Sequence, residues 1–335
     1  MKPIPFSALD FAPVRLGEAP GDALRQAVAL AKALESLGYH RLWYAEHHGL
    51  LMSSSAATAV LIAHVAERTS TIRLGSGGVM LPLHSPMVIA EQFGTLELLY
   101  PGRIDLGLGR SSGTSGDATG VRHALHATVE ARERFPDDLR QLQVLFRSPM
   151  PGETVRAVPG AGLNVPIWLL ASSTFGARQA AQLGLPLAFA THIGSDALDD
   201  ALVTYRAEFV PSAPLDRPYL MLCVLLAAAE SDAAALQLFT SWQQLLIGAI
   251  RRKYPNPLEP PLTQLANFAS PDEVGVVDRA FRHAVVGCAA TIGRKLETLL
   301  ANTMADELMF LSFIHDQAAR LRSFEIAANV CARLG

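Results

Sequence analysis

Short apolar segments alternate along the chain with longer segments in which apolar residues recur every three or four positions. The short segments predict buried strands, and the longer ones predict amphipathic helices, such as 22–37, where Gly38 ends the pattern. This alternation indicates βαβ units and a parallel sheet. The predicted strands are 6–11, 41–46, 72–78, 104–108, 167–171, 187–191, 219–228 and 307–313, and the remaining predicted helices are 56–68, 86–99, 129–147, 174–183, 232–251, 271–286 and one that ends at Arg333.

Eight strand–helix units favour a closed (β/α)₈ TIM-type barrel, an architecture that takes about 250 residues plus insertions. The chain has 335 residues, so it has room for insertions, and two irregular segments supply them. Segment 111–127, rich in Ser, Gly, Thr and His, is expected to be a loop at the C-terminal mouth of the barrel. The proline-rich segment 253–271 is expected to be an ordered surface insertion. No linker divides the chain, which predicts one domain over residues 1–335. The pattern alone leaves an open, doubly wound sheet as an alternative.

Composition narrows the classes of partner. Half of the residues are hydrophobic, the net charge is −3, and Lys and Arg form no run. This balance argues against nucleic acid and anionic membrane surfaces as partners. The first residues lack the pattern of a signal peptide, and no segment has the ~18 consecutive apolar residues that a membrane span needs. The three cysteines are far apart in apolar segments, which predicts buried thiols in a cytoplasmic protein and no zinc site.

In such barrels the active site lies at the C-terminal ends of the strands, so polar residues that follow a strand are the candidates. The second predicted strand ends in Glu46, His47 and His48. Side chains alternate along a strand, so His47 shares a face with the small Ala45 and should lie over the barrel mouth, with His48 turned away. The alternative is that both histidines only bond the loop. Adjacent strand positions converge poorly on one ion, so we expect no metal.

The third predicted strand ends in a run of glycines that includes Gly77 and Gly78, followed by Met80. Glycines weaken a strand, so some other feature should compensate. Without side chains, the backbone can approach a flat ligand closely. A simple bulge is the alternative explanation.

Two further strands end in groups suited to an anion. Arg110 follows the fourth strand, and the donors of its guanidinium match the geometry of a phosphate. Ser172, Ser173 and Thr174 follow the fifth strand and begin a helix, whose free amides and neighbouring hydroxyls can bind a phosphate. The alternatives are a surface salt bridge for the arginine and ordinary N-capping for the serines. Together the two groups predict one phosphate site beside the glycines.

In this order, these segments resemble the luciferase-like monooxygenase family over nearly the whole chain. The matching stretches are LGYHRLWYAEHH, IRLGSGGVMLPLHSPMVIAEQFGTLELLYPGRIDLGLGR, PIWLLASSTFGARQAAQLGLP and DELMFLSFIHDQAARLRSFEIAA. The resemblance implies a monooxygenase that takes reduced FMN from a separate flavin reductase. Molecular oxygen would then form a peroxide at flavin C4a, which oxygenates a small organic substrate. A homodimer is also expected.

The resemblance also implies roles for individual residues. His47 matches a histidine near the reactive edge of the flavin and is the expected catalytic residue. Gly77 and Gly78 match the position at which the family carries a non-prolyl cis peptide against the flavin. The expected cofactor-binding residues are Gly77, Gly78, Met80, Arg110, Ser172, Ser173 and Thr174.

Two departures from the family pattern prevent transfer of a substrate class. Residues 111–115 replace a Pro-Gly-Thr-Asp-like stretch, and Ser172 stands where luciferases carry an acidic residue. Two other functions remain open at this point. One is hydride transfer with the deazaflavin F420, which needs no oxygen. The other is a non-catalytic flavin-binding protein, against which Glu46, His47 and His48 argue because storage needs no acid–base group.

Overall fold

The computed structural model describes residues 4–111, 118–251 and 256–334. Within them the strands are β1 (Phe6–Asp10), β2 (Arg41–Tyr44), β3 (Arg73–Met80), β4 (Ile104–Gly109), β5 (Ile167–Ala171), β6 (Leu187–Ala190), β7 (Leu220–Ala228), β8 (Val285–Gly287) and β9 (Glu307–Leu311). Strands β1 to β7 follow one another in parallel, and β9 closes the sheet between β7 and β1. The predicted TIM-type barrel is confirmed, and the open-sheet alternative is wrong.

Helices connect the strands. In the same residues they are α1 (Pro20–Ser36), α2 (Thr58–Ala66), α3 (Pro86–Leu99), α4 (Ala118–Ala124), α5 (Phe135–Phe146), α6 (Thr174–Gln182), α7 (Leu198–Ala207), α8 (Asp232–Ile250), α9 (Pro271–Ala280), α10 (Ala289–Thr303) and α11 (Gln317–Cys331), with short 3₁₀ turns at Leu81–Leu83, Val129–Arg132, Ser195–Ala197 and Leu265–Asn267. None of the helices described is both long and apolar enough to cross a membrane.

The structure corrects the prediction most clearly between residues 271 and 303. The predicted helix 271–286 ends at Ala280, and its last residues form β8, which pairs with Leu226, Ala227 and Ala228 at the far end of β7. Valines continue past the end of the helix, so periodicity could not show where it stops. Helix α10 was not predicted, and neither was α7, which lies earlier in the chain.

Two other segments also differ from the prediction, and a third, the proline-rich insertion, does not. The predicted helix 129–147 is a 3₁₀ turn followed by α5, because Pro136 lies in the first turn of α5 and starts a new helix there. In the predicted loop 111–127, Ala118–Ala124 is helical, while 112–117 lie outside the described residues. In the insertion, residues 253–255 also lie outside them. Leu258 is fully buried and bonds the backbone of Val14 and Leu16, so the described part of the insertion is packed on the barrel.

Side chains on the strands alternate between two hydrophobic cores, one outside and one inside the barrel. On β2, Leu42 and Tyr44 belong to the outer core, which packs against the helices. Trp43, between them, belongs to the inner core together with Leu9 of β1 and Met309 of β9. The period of two on which the strand predictions rest is therefore the period that fills both cores.

A layer of buried charges fills the N-terminal end of the barrel. Arg41 of β2 lies 2.6 Å from a carboxylate oxygen of Asp105 and 2.8 Å from one of Glu307. Trp43 Nε1 donates to Asp105, and the Tyr219 hydroxyl donates to Glu307. Buried charges are tolerated when they are paired and hydrogen-bonded in this way.

Strands β3 and β4 approach each other more closely than side chains would allow. A Cβ placed on Gly107 would lie 2.1 Å from the backbone oxygen of Ser76, and one on Gly78 would lie 2.8 Å from the oxygen of Gly107. The register between the strands shifts in the same place, between Ser76 and Val79. We call the contact of Ser76 and Gly78 with Gly107 the β3–β4 seam.

Gly107→Ala is expected to lower the free energy of unfolding by about 1–3 kcal/mol, the usual cost of forcing extra atoms into a packed interior. Gly109→Ala, two positions along the same strand, is the matched control, because its Cβ would have its nearest heavy atom 4.0 Å away. Urea unfolding followed by circular dichroism measures both. Equal midpoints for the two variants would show that the strands separate at no cost.

Candidate active site

A cavity of about 410 Å³ opens at the C-terminal ends of the barrel strands, where the active site was expected. Most of the predicted site residues meet there. Thr174 does not border the cavity among the described residues, although it begins α6 beside it. The seven that do border it are His47, Gly77, Gly78, Met80, Arg110, Ser172 and Ser173.

Two arginines border one end of the cavity. Arg110 follows β4, and its guanidinium carbon lies 3.9 Å from the ring centroid of Phe175, which holds the group by a cation–π contact. Arg132, from the 3₁₀ turn before α5, borders the same cavity. Burial and the charge of Arg132 lower the pKa of Arg110. Sequence reasoning missed Arg132, because the segment was predicted to continue an ordinary helix.

Ser173 adds a hydroxyl at the same end of the cavity. It is the N-cap of α6, where its Oγ accepts a hydrogen bond from the Gly176 amide at 3.5 Å. Its own proton is left to donate to a bound group. Two guanidiniums, this hydroxyl and the start of a helix are a combination that favours an anion. We call Arg110, Arg132 and Ser173 the anion site.

Gly77 and Gly78 form a part of the cavity wall without side chains, which we call the glycine floor. The peptide bond between them is cis, as the family resemblance implied. The wall near by is apolar and includes Leu9, Ala188 and Cys223. Burial raises the pKa of Cys223 to about 12, so its thiol is neutral. A flat ring can therefore lie with one face against the glycine floor.

His47 borders the cavity, and its ring stacks on Phe11 with centroids 4.9 Å apart and planes 19° apart. The strand prediction placed residues 41–46 in β2, whereas the strand ends at Tyr44 and the histidines lie in the turn that follows. The two histidines nevertheless face different surroundings, since His48 bonds Glu46 and does not border the cavity. The stack on Phe11 restricts the orientation of the His47 imidazole.

Glu46 joins the ends of β2 and β3. Its Oε1 atom lies 2.7 Å from Nε2 of His48 and 2.7 Å from Nε2 of His84, and its Oε2 atom accepts from the Met80 amide at 3.2 Å. Burial alone would raise the pKa of Glu46, but the hydrogen bonds from the two histidines outweigh it, and the pKa lies below its usual value. Sequence reasoning missed His84; its place just after β3 was the available signal.

The same three side chains raise the question of a metal. Ligand atoms of Glu46, His48 and His84 all lie within 4.8 Å of one another, a grouping that the sequence did not predict. The 2.7 Å contacts are those of N–H···O hydrogen bonds to a carboxylate. In such bonds protons occupy the nitrogens that a metal would use. We therefore assign the cluster to hydrogen bonding, and the expectation of no metal stays a prediction.

Comparison with known proteins identifies relatives across the chain. Residues 5–307 match the family model described as luciferase-like monooxygenase. The chain is 47% identical to a protein named luciferase-like monooxygenase from Escherichia coli (strain K12), over 98% of this chain and 97% of that one. It is 37% identical to the N-acetyl-S-alkylcysteine monooxygenase of Bacillus subtilis (strain 168), over 63% of this chain and 64% of that one.

Solved structures share the barrel. Apo-MsnO8 superposes with a TM-score of 0.89 at 34% identity, over 99% of both chains. Two others are alike in fold alone. They are the oxygenating constituent of 3,6-diketocamphane monooxygenase from Pseudomonas putida in complex with FMN (TM-score 0.70, 16% identity, 97% and 96% covered) and an F420-dependent secondary alcohol dehydrogenase (0.66, 14%, 96% and 97%). The chain therefore belongs to the luciferase-like monooxygenase family.

Proposed function

We propose that the protein is a two-component monooxygenase that takes reduced FMN from a separate flavin reductase and uses O₂ to oxygenate a small organic substrate. The observation that carries the proposal is the presence of the anion site and the glycine floor in one cavity. The first suits the phosphate of FMN and the second suits its flat ring. Bound reduced flavin would supply the electrons that O₂ accepts.

The anion site fits a phosphate on charge as well as on geometry. Arg110 and Arg132 repel each other, which is one reason why the pKa of Arg110 is lowered. A dianionic phosphate between them would offset that repulsion and accept hydrogen bonds from both guanidiniums. Ser173 would donate a further bond from the start of α6. Met80, next to the glycine floor, would contact the ring.

His47 is the residue that we assign to acid–base work. It borders the cavity on the β2 side and is oriented by Phe11. An imidazole can take up and release a proton near neutral pH. Glu46 borders the cavity as well, but both of its oxygens already accept hydrogen bonds, which makes it a poorer base.

Turnover tests the function directly. The relative named for N-acetyl-S-alkylcysteine and the structural neighbour named for diketocamphane suggest one thioether and one bicyclic ketone as first substrates. Each is incubated with FMN, a flavin reductase, a reduced nicotinamide and isotopically labelled O₂, and products are analysed by mass spectrometry. The proposal expects one labelled oxygen atom in the product. Turnover with F420 in the absence of oxygen, or flavin binding without turnover of any organic substrate, would overturn it.

Three expectations from the sequence stay predictions alongside this proposal. They are the transient partnership with a flavin reductase, the homodimeric state and the cytoplasmic location. The reductase is the partner that the proposed chemistry requires, because the reduced flavin must be replaced after each turnover. Sedimentation of the purified protein, alone and with a reductase, measures both kinds of association.

Arg110→Ala is expected to weaken FMN binding about 10- to 150-fold, since a hydrogen bond to a charged group contributes about 1.5–3 kcal/mol. Riboflavin lacks the phosphate, so its affinity should stay within about twofold of the wild type. The exposed Arg140, on α5, provides the matched control Arg140→Ala. Flavin fluorescence titration measures each dissociation constant. An equal loss for FMN and riboflavin would mean that Arg110 does not bind the phosphate.

His47→Ala is expected to lower product formation about 10²- to 10⁴-fold, the usual contribution of a positioned acid–base group. FMN affinity should stay within a few-fold of the wild type, and O₂ should still be consumed, with release of hydrogen peroxide. Product and peroxide are measured in the same assay, so that lost coupling is separated from lost flavin.

The control for His47 is His48→Ala, which removes a hydrogen bond from the buried Glu46. Loss of one hydrogen bond to a charged group costs about 1.5–3 kcal/mol, so this variant should be less stable but much more active than His47→Ala. Comparable losses of product in both variants would mean that the histidines act together as a structural pair. The acid–base assignment would then be wrong.

A further inference from the structure

His192 is a polar side chain in the cavity that the proposed function has not used. It follows β6, borders the cavity and is partly buried. Its backbone position is well fixed, because the preceding Thr191 bonds the Cys223 oxygen with both its amide and its hydroxyl. Two residues on, Gly194 packs so closely that a Cβ there would lie 2.0 Å from the backbone oxygen of Ser172.

The two ring nitrogens of His192 have different surroundings. Nδ1 is buried and has no hydrogen-bond partner among the described residues. Burial, and to a lesser extent the neighbouring His47, lowers the pKa of His192 to about 4. The ring is therefore neutral near pH 7 and carries one proton. We assign that proton to Nε2, because a proton on Nδ1 would be a buried donor without an acceptor, whereas Nε2 lies at the outer edge of a ring that borders the cavity.

His192 and His47 reach the cavity from opposite sides. They follow β6 and β2, which are four positions apart in a closed barrel of eight strands. They are nevertheless close enough for His47 to contribute to the lowered pKa of His192. The other residues that line the cavity from β6, β7, β9 and the turn after β6 carry no charged side chain; they are Ala188, Ala190, Ile193, Cys223 and Met309. A polar group of a bound molecule on the β6 side would therefore meet His192.

We propose that His192 donates a hydrogen bond from Nε2 to a carbonyl oxygen of the molecule bound in the cavity, the carbonyl belonging either to the flavin ring or to the organic substrate. A neutral N–H suits a neutral acceptor, and a carbonyl oxygen is a far better acceptor than a thioether sulfur. The inference rests on the proposed function, since it assumes that a flavin and an organic molecule share the cavity. It adds a binding residue on the side of the barrel away from the glycine floor.

A pair of variants separates hydrogen bonding from packing. His192→Gln keeps an N–H donor on a side chain of similar reach, whereas His192→Met has nearly the same length and no donor. His64→Met, on the exposed face of α2, is the control for the same chemical change outside the cavity. Thermal unfolding of each variant establishes that it is folded before any ligand is added.

Dissociation constants for FMN, riboflavin and the bicyclic ketone camphor are then measured by titration without turnover. Loss of one neutral hydrogen bond should weaken binding about 2- to 10-fold in His192→Met, and His192→Gln should retain most of the affinity. An equal loss for FMN and riboflavin assigns the carbonyl to the flavin ring. A loss for camphor alone assigns it to the organic substrate.

The proposal is overturned if His192→Met binds all three probes as the wild type does, or if His192→Gln loses as much as His192→Met. Its failure is distinguishable from that of the proposed function. If the wild type binds F420 and neither FMN nor riboflavin, the proposed function is wrong. The same variants are then titrated with F420, whose ring carries the same two carbonyl groups, and the same two outcomes decide the role of His192.

Discussion

The barrel depends on one guanidinium held between two carboxylates at its N-terminal end. Burial disfavours the charge of Arg41, but Asp105 and Glu307 outweigh this effect and raise its pKa above the usual value. Breaking a buried ion pair by removing one partner costs about 3–5 kcal/mol in general. Here Arg73, 2.5 Å from Asp105, gives that carboxylate a second partner. Arg41, Asp105 and Glu307 join β2, β4 and β9. At their other ends, β2 and β4 lead into His47 and Arg110, so this ionic contact joins two of the strands that carry the site residues.

The sequence pattern was sufficient to predict the bounds of elements that consist of one uninterrupted pattern with a clear limit at each end. β5 has the predicted bounds, 167–171, and α3 has the predicted bounds, 86–99, because an apolar run and a proline in the first helical turn mark their limits. Pattern failed at β8, which is three residues long. Its pairing with the end of β7 is a tertiary contact, and three apolar residues are too few to distinguish a strand from the end of a helix.

The residues of the candidate site likewise divide into those that could be predicted from the sequence and those that could not. Residues that directly follow a strand, such as His47 and Arg110, could be predicted, because the barrel places every strand end at one mouth. His192 also directly follows a predicted strand, 187–191, so the same rule would have found it. His84 and Arg132 come from short turns between elements. Their approach to the site depends on how these turns pack on neighbouring strands. That packing involves residues distant in sequence, which a local pattern does not contain.

The β3–β4 seam also limits how such a cavity can diversify. A side chain at Gly78 or Gly107 would force the two strands apart, so single substitutions at these positions are disfavoured. The wall from β6, β7 and β9 carries side chains such as Ala188, Cys223 and Met309, which can be enlarged, shortened or made polar one at a time. Laboratory evolution of new substrate preferences in this scaffold would therefore accumulate its changes on that half of the mouth, while Gly77 and Gly78 on the other half stay unchanged.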